Sequence, residues 1–178
     1  MYGLVHTALK DMICAKLGAE AWRDICRGHN APETPLSLET YPDSMTSAML
    51  TEAGIRLNTP AHQLLKEFGR HWVSFIMKSE YGDILKFFGK DFRSSVANLD
   101  LIHASVSDAL RNARTPKFSI IFSDEHSVEI RYSSERTGLN PFVEGLFIGL
   151  LQHFKEEGSV SLLRSSEHQS DFLVSFKN

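Results

Sequence analysis

The chain has 178 residues, of which 42% are hydrophobic and 23% charged, and its formal net charge is −3. This length is typical of a single domain, and the composition is that of a globular protein rather than a disordered or fibrous one. The slightly acidic charge gives nucleic-acid binding no support, and no membrane span or signal peptide is evident. Cys14 and Cys26 are too few for a disulfide framework or a four-thiolate zinc site. We therefore expect a soluble cytoplasmic domain.

The first half of the chain has the apolar spacing of helices. The predicted helices span residues 3–17, 21–26, 44–57, 60–78, 81–88 and 91–110. Asp43 and Thr59 are the expected N-caps of the third and fourth helices, with Pro60 at the first helical position of the fourth.

The second half changes to the two-residue period of strands. Predicted strands span 117–123 and 127–136 around a turn at 124–126, and strands 160–164 and 171–176 form a second hairpin. A strongly apolar helix over 141–154 lies between the hairpins. This order predicts an α+β fold with a four-stranded antiparallel sheet.

One histidine lies within an apolar helix face. His103 falls four residues after Leu99 and three before Val106, in a stripe that also includes Phe92, Val96 and Leu110. Burial favours the neutral imidazole, which is the form that binds metals. A core histidine bonded to a backbone carbonyl is the alternative reading. Among metal sites, a single protein ligand suits heme better than zinc, because the porphyrin supplies four nitrogens.

The strand from Ser127 has an inward face that changes character. Its even positions begin with Val128 and Ile130 and continue with Tyr132, Ser134 and Arg136. A buried arginine with two hydroxyls suits a carboxylate or phosphate, although a frayed strand end gives the same pattern. Phosphate-binding loops, the His-Glu-x-x-His motif and nucleophile elbows are absent, so the chain is not expected to be an enzyme.

These features together resemble a known family. The segment from Tyr132 to Arg136 fits the Tyr-x-Ser-x-Arg motif of heme nitric oxide/oxygen-binding (H-NOX) domains, which include the sensor domain of soluble guanylate cyclase. The segment 98–103 is similar to their histidine-bearing segment, and 1–5, 68–72 and 138–142 also resemble family segments. The resemblance covers essentially the whole chain, residues 1–178.

The resemblance implies a cofactor and a role for each site residue. Heme b would lie between a helical lobe, about 1–60, and a heme-holding lobe, about 61–178. His103 would be the proximal iron ligand, Pro116 would press on the porphyrin, and Tyr132, Ser134 and Arg136 would hold the propionates. The other implied heme contacts are Val5, Trp72, Leu99, Ile102, Phe142 and Leu146, of which Val5, Trp72, Phe142 and Leu146 line the distal side.

The resemblance also bears on which gas binds. Relatives that hold oxygen use a distal tyrosine, and the matching position here is Pro141, which has no side-chain donor. Nitric oxide is therefore the expected ligand, with carbon monoxide as a second candidate. Trp72 and Asn140 could still donate a hydrogen bond to a bound gas. An oxygen sensor, or a heme-free module that binds an anionic metabolite, are the alternatives.

A signalling mechanism follows as a hypothesis. Nitric oxide weakens the bond opposite it, so His103 would be released and its helix would shift against the sheet. We expect no kinase, cyclase or phosphodiesterase sequence after Asn178. The resemblance therefore implies a separate partner, a histidine kinase or a cyclic-di-GMP enzyme.

Overall fold

The computed structural model describes residues 1–79, 82, 89–109 and 115–177, apart from the side chains of 105–109. In this part of the chain, four helices are followed by two hairpins with one helix between them, which is an α+β fold and confirms the predicted class. The elements are α1 (Gly3–Gly28), α2 (Asp43–Arg56), α3 (Ala61–Lys78), α4 (Phe92–Ala109), β1 (Lys117–Ser123), β2 (Ser127–Ser133), α5 (Asn140–Phe154), β3 (Gly158–Ser165) and β4 (Gln169–Phe176). The helix predicted over 81–88, apart from Gly82, lies outside what is described, as do Leu110 and the side chain of Val106.

The four strands form one antiparallel sheet in the order β1-β2-β4-β3. The two predicted hairpins are both present, and β2 and β4 join them at the centre of the sheet. In this register Phe118 of β1 lies opposite Tyr132 of β2, and Tyr132 lies opposite Ser170 of β4. The sheet therefore places Phe118 and Ser170 on either side of Tyr132, the first residue of the Tyr-x-Ser-x-Arg motif.

Two apolar clusters fill the interior. The sheet cluster contains α4, α5 and sheet residues, with Phe92, Val96, Phe118, Tyr132, Phe147 and Phe172 among its buried members. The helical cluster joins α1, α2 and α3 through residues that include Leu9, Ile13, Trp22, Met49, Leu64 and Phe68. The lobe boundary near residue 60 stays a prediction, because α3 contributes Phe68 to one cluster and Val73 to the other.

Helices α3 and α5 approach each other closely at glycines. A Cβ atom on Gly145 would lie 1.9 Å from the carbonyl oxygen of Lys66, and one on Gly69 would lie 2.1 Å from that of Phe142. Real Cβ atoms do not come this close to backbone, so the absence of a side chain sets the spacing of the two helices. Lys66 and Glu144 form an ion pair across the same contact.

Several element ends differ from the sequence prediction. Strand β2 ends at Ser133, three residues early, so Ser134 and Arg136 lie in the following bend rather than on a strand face. Helix α2 begins at Asp43, whose carboxylate makes no capping bond, and Pro60 precedes α3 rather than opening it. The expected break after Leu17 is a kink at Gly18, where φ is 86°.

Candidate functional site

His103 projects from α4 toward the sheet. Its ring centroid lies 5.8 Å from that of Phe118, and its Nδ1 atom is buried without a hydrogen-bond partner. Burial lowers the pKa of His103, while the charge of Asp100 and a backbone hydrogen bond at Pro116 oppose that shift. The ring is therefore held neutral, with one nitrogen that no protein group satisfies, which is the state a metal ligand requires.

Pro116 and Phe118 connect this helix to β1. Pro116 is half-buried one residue before the strand, and the Phe118 amide donates to the Asp100 carboxylate at 2.8 Å. The Phe118 ring lies between His103 and Tyr132, with its centroid 5.3 Å from the tyrosine ring. Sequence reasoning missed Asp100 and Phe118, which together fix the position of His103 relative to the sheet.

Tyr132 and Arg136 are both hydrogen-bonded to the hydroxyl group of Ser134. Tyr132 is only 5% exposed, and its hydroxyl is hydrogen-bonded to the side chain of Ser134. Burial raises the pKa of Tyr132, and Ser134 and Arg136 only partly offset this, so the phenol stays protonated as a donor. The Ser134 hydroxyl accepts the Arg136 amide at 3.0 Å, while the Ser134 amide donates to the His168 carbonyl.

Arg136 contacts Asp43, a residue 93 positions earlier in the chain. Its Nε atom donates to Oδ2 of Asp43 at 2.8 Å, and the Met1 amino group donates to Oδ1 of the same carboxylate at 2.7 Å. Burial alone would raise the pKa of Asp43, but the hydrogen bonds and charges of Met1 and Arg136 hold it below its usual range. Asp43 carries no sequence signal for this role, because an acidic residue at a helix start reads as a cap.

The remaining predicted heme contacts divide between the two apolar clusters. Val5, Trp72 and Phe142 pack against the helical cluster, and Phe142 lies 5.4 Å from the ring of Phe68. Leu99 and Leu146 pack against the sheet cluster, and Ile102 is half-buried beside His103 on α4. Three of the four predicted distal residues thus pack against the helical cluster, whereas His103 contacts Phe118 of the sheet cluster.

Asn140 makes contacts that the sequence did not indicate. Its amide nitrogen donates to the Ser165 hydroxyl, and its amide oxygen accepts from the Ser170 hydroxyl, both at 2.9 Å. The two serine hydroxyls are 3.1 Å apart, which closes a three-membered ring of hydrogen bonds. This ring borders a cavity of about 200 Å³ beside Tyr132 and Arg136. The Asn140 amide is therefore directed at the β3–β4 turn.

These residues fit heme better than a bare metal ion. Within the described residues, no group of three or more His, Cys, Asp and Glu side chains could hold a metal. His103 offers a single buried nitrogen without a partner, and the motif offers hydroxyl and guanidinium donors for carboxylates. One axial ligand and a set of anion-binding donors are what heme requires of a protein.

Comparison with known proteins identifies the family of the chain and its cofactor. A family model described as Haem-NO-binding matches residues 2–162, so the chain belongs to the Haem-NO-binding family. Its cofactor is heme. The family is a ligand-binding one, in agreement with the prediction that this domain is not an enzyme.

Solved H-NOX structures share the fold over the entire chain. An H-NOX protein from S. oneidensis in the Fe(II) ligation state, a mutant form, is 26% identical with a TM-score of 0.89, covering 100% of this chain and 97% of that one. The Fe(II)NO state of an H-NOX protein from the same organism is 25% identical with a TM-score of 0.86, covering 100% of both chains. An oxygen-binding H-NOX domain is only 18% identical, so its TM-score of 0.87 shows a shared fold alone.

The curated relatives are longer proteins. Soluble guanylate cyclase gcy-33 of Caenorhabditis elegans is 25% identical over 94% of this chain, and soluble guanylate cyclase 89Da of Drosophila melanogaster is 22% identical over 86%. The chain covers only 18% and 23% of their respective lengths.

Among the helices of the described residues, none is long and apolar enough to cross a membrane.

Proposed function

We propose that this member of a heme-based gas-sensor family binds nitric oxide at ferrous heme and signals by release of His103. The observation that carries the choice of gas is the direction of the Asn140 amide, whose nitrogen donates to Ser165 and whose oxygen accepts from Ser170, so that it is aimed at the β3–β4 turn. Pro141 beside it has no side-chain donor. A site of this kind favours nitric oxide, because a stable oxygen complex needs a hydrogen bond to the bound gas.

Each residue of the site would then have its own role in holding the heme. The bound ferrous heme supplies the metal centre at which the gas binds. His103 holds that centre from α4, and Tyr132, Ser134 and Arg136 orient the propionates. Pro116, whose backbone is hydrogen-bonded to His103, would contact the porphyrin. Val5, Trp72, Phe142 and Leu146 would exclude water from the distal side, and Leu99 and Ile102, which share α4 with His103, would contact the heme.

Movement of α4 would carry the signal. Asp100 ties the helix to the Phe118 amide three residues before His103, so a shift of the histidine strains this link to the sheet. We propose that a separate protein in the cytoplasm, a histidine kinase or a cyclic-di-GMP enzyme, reads the change. The solved H-NOX neighbours in Fe(II)NO and Fe(II)CO states support gas binding, and the partner class rests on the resemblance alone.

The absorption spectrum of the reduced protein tests this function. We expect a five-coordinate ferrous spectrum that air leaves unchanged and that nitric oxide converts to a form without the histidine bond. A stable spectrum of an oxygen complex would overturn the choice of gas. If such a complex forms, Trp72→Phe tests whether the indole N–H of Trp72 stabilises it. The substitution removes this donor and would then abolish the oxygen complex.

A second test concerns Asn140. We expect Asn140→Ala to lower the free energy of unfolding by about 1–2 kcal/mol, because it removes two hydrogen bonds within the ring. The rate of nitric oxide release should stay the same, because the amide is directed away from the gas. Thermal unfolding and stopped-flow trapping of released nitric oxide measure the two quantities. Faster gas release at unchanged stability would show that Asn140 faces the ligand after all.

A further inference from the structure

The first turn of α4 is bound to the β1–β2 turn, residues 124–126, by one arginine. Arg93, the second residue of α4, donates from Nη1 to the carbonyl of Ser127 at 3.2 Å and to the Ser123 hydroxyl. Its Nη2 atom donates to the carbonyl of Glu125 at 3.1 Å. The guanidinium carbon lies 4.4 Å from the centre of the Phe176 ring, within the range of a cation–π interaction. One side chain therefore joins the helix to both sides of the turn and to the end of β4.

The turn that Arg93 contacts is itself closed by hydrogen bonds. The Asp124 carboxylate accepts the Ser127 amide at 2.7 Å and the His126 amide at 2.9 Å. These bonds, that of the Ser127 amide most of all, hold the pKa of Asp124 below its usual range. The His126 carbonyl accepts the Phe176 amide, which ties the turn to β4. Arg93 thus binds carbonyl groups whose positions are already fixed.

Two further hydrogen bonds fix the same end of α4. The Phe92 amide donates at 2.8 Å to the carboxylate of Glu156, which follows α5. The Ser94 amide donates, also at 2.8 Å, to the carboxylate of Asp91, the residue before the helix. Both carboxylates satisfy amides that the first turn of a helix leaves without a partner. The start of α4 is therefore held by the sheet, by the segment after α5 and by its own cap.

The histidine lies on the same helix, beyond this fixed end. His103 follows Arg93 by ten residues, which is about 15 Å along an α-helix. Asp100 lies between them and accepts the Phe118 amide near the start of β1. Helix α4 is therefore bound near both ends of β1. A helix attached in this way resists following a ligated atom that moves away from it, so a pull on His103 acts on the bond rather than on the helix.

We infer that Arg93 is a positioning residue for His103, which clamps the start of α4 to the β1–β2 turn and thereby favours release of the histidine when nitric oxide binds. This inference rests on the proposed role of His103 as the iron ligand. Arg93 acts through the helix and not on the heme. Without its hydrogen bonds α4 can tilt, and His103 can then remain bound.

The absorption spectrum of the ferrous nitric oxide complex tests the inference, because the forms with and without the histidine bond absorb differently. Arg93→Met keeps an unbranched side chain but removes the charge and the donors. We expect it to raise the ratio of the histidine-bound form to the histidine-free form about 3- to 10-fold, as befits the loss of charge-assisted hydrogen bonds at a half-buried site. Arg93→Lys, which keeps the charge, should give an intermediate ratio.

The matched control is an arginine within the sheet. Arg164 on β3 is bound to the carboxylates of Asp171 and Glu129, so Arg164→Met also removes charge-assisted hydrogen bonds. It should leave the ratio of the two nitric oxide forms unchanged, because these bonds join strands to one another. Ser123→Ala removes a single acceptor of Arg93 and provides a milder variant if Arg93→Met does not fold.

Hydrogen exchange of the apoprotein gives a second reading that needs no heme. We expect Arg93→Met to speed exchange of the amides of residues 96–103 several-fold, because the helix is less firmly held. Arg164→Met should leave these amides unchanged. Thermal unfolding of each apoprotein shows whether the variants remain folded.

The outcomes separate the inference from the proposed function. A parent protein whose ferrous heme lacks a histidine ligand would overturn the role of His103 itself. If the parent has that ligand, an unchanged ratio in Arg93→Met would overturn only the role of Arg93, even if exchange in α4 were faster. Equal changes in Arg93→Met and Arg164→Met would also overturn it, because general loosening of the fold would then explain both.

Discussion

Replacing His103 with glycine should abolish the spectrum of a five-coordinate ferrous heme with a histidine ligand. His103 is the residue whose buried Nδ1 no protein group satisfies, and it lies beside Phe118 next to the motif. Glycine removes the ligand and leaves a cavity of imidazole size. We therefore expect added imidazole to restore the spectrum of the parent protein. The absorption spectrum of the reduced protein, with and without imidazole, measures both effects.

The control for this experiment is another helical histidine. His62→Gly changes an exposed side chain in the first turn of α3, at a similar cost in helix propensity of about 1 kcal/mol. It should leave the ferrous spectrum unaltered. If the His103→Gly protein also kept the parent spectrum, His103 would not be the ligand, and its orphaned nitrogen would need another partner. Loss of heme from both variants would point to instability instead.

Replacing Gly145 with alanine should have the largest effect on stability. The new Cβ atom would lie 1.9 Å from the carbonyl oxygen of Lys66, so the backbones of α3 and α5 must separate. Overpacking of this kind costs about 3 kcal/mol, and the better helix propensity of alanine returns about 1 kcal/mol. We expect a net loss of about 2 kcal/mol, or a fall in melting temperature of roughly 4–8 °C.

Alanine substitutions at two other glycines provide the comparison for this result. At Gly149 a Cβ atom would lie 3.0 Å from the Val73 side chain, so Gly149→Ala should cost less than Gly145→Ala. At Gly28 the nearest atom is a Glu52 side-chain oxygen at 3.5 Å, so Gly28→Ala should change stability by under about 0.5 kcal/mol. Thermal unfolding of the three variants measures the order. Equal stability of Gly145→Ala and Gly28→Ala would contradict the close helix approach.

Structure that forms between residues close together in the sequence could be predicted. The predicted hairpin with its turn at 124–126 agrees with the structure from Lys117 to Ser123, because alternation and turn residues act locally. A hairpin centred on residue 125 also pairs Phe118 with Tyr132, so the register alone could have placed Phe118 in the site. The motif and His103 were found because residue type and spacing carry their chemistry.

The end of β2 was not predictable in this way. The alternation of Tyr132, Ser134 and Arg136 continues past the last paired residue, but the strand ends at Ser133. The Ser134 hydroxyl binds the Arg136 amide, which turns the chain into a bend. A local side-chain bond of this kind competes with strand pairing, and periodicity cannot reveal which of the two wins.

The sequence by itself determined the fold class, the family resemblance and the identity of the candidate heme ligand, because each depends on local pattern or on motif residues. Only the tertiary structure decided which groups surround them. Asp43 meets Arg136 across 93 positions, and Asn140 meets Ser165 and Ser170 across 25 and 30. Contacts over such distances depend on how the helices and the sheet pack together, and no local pattern encodes that packing.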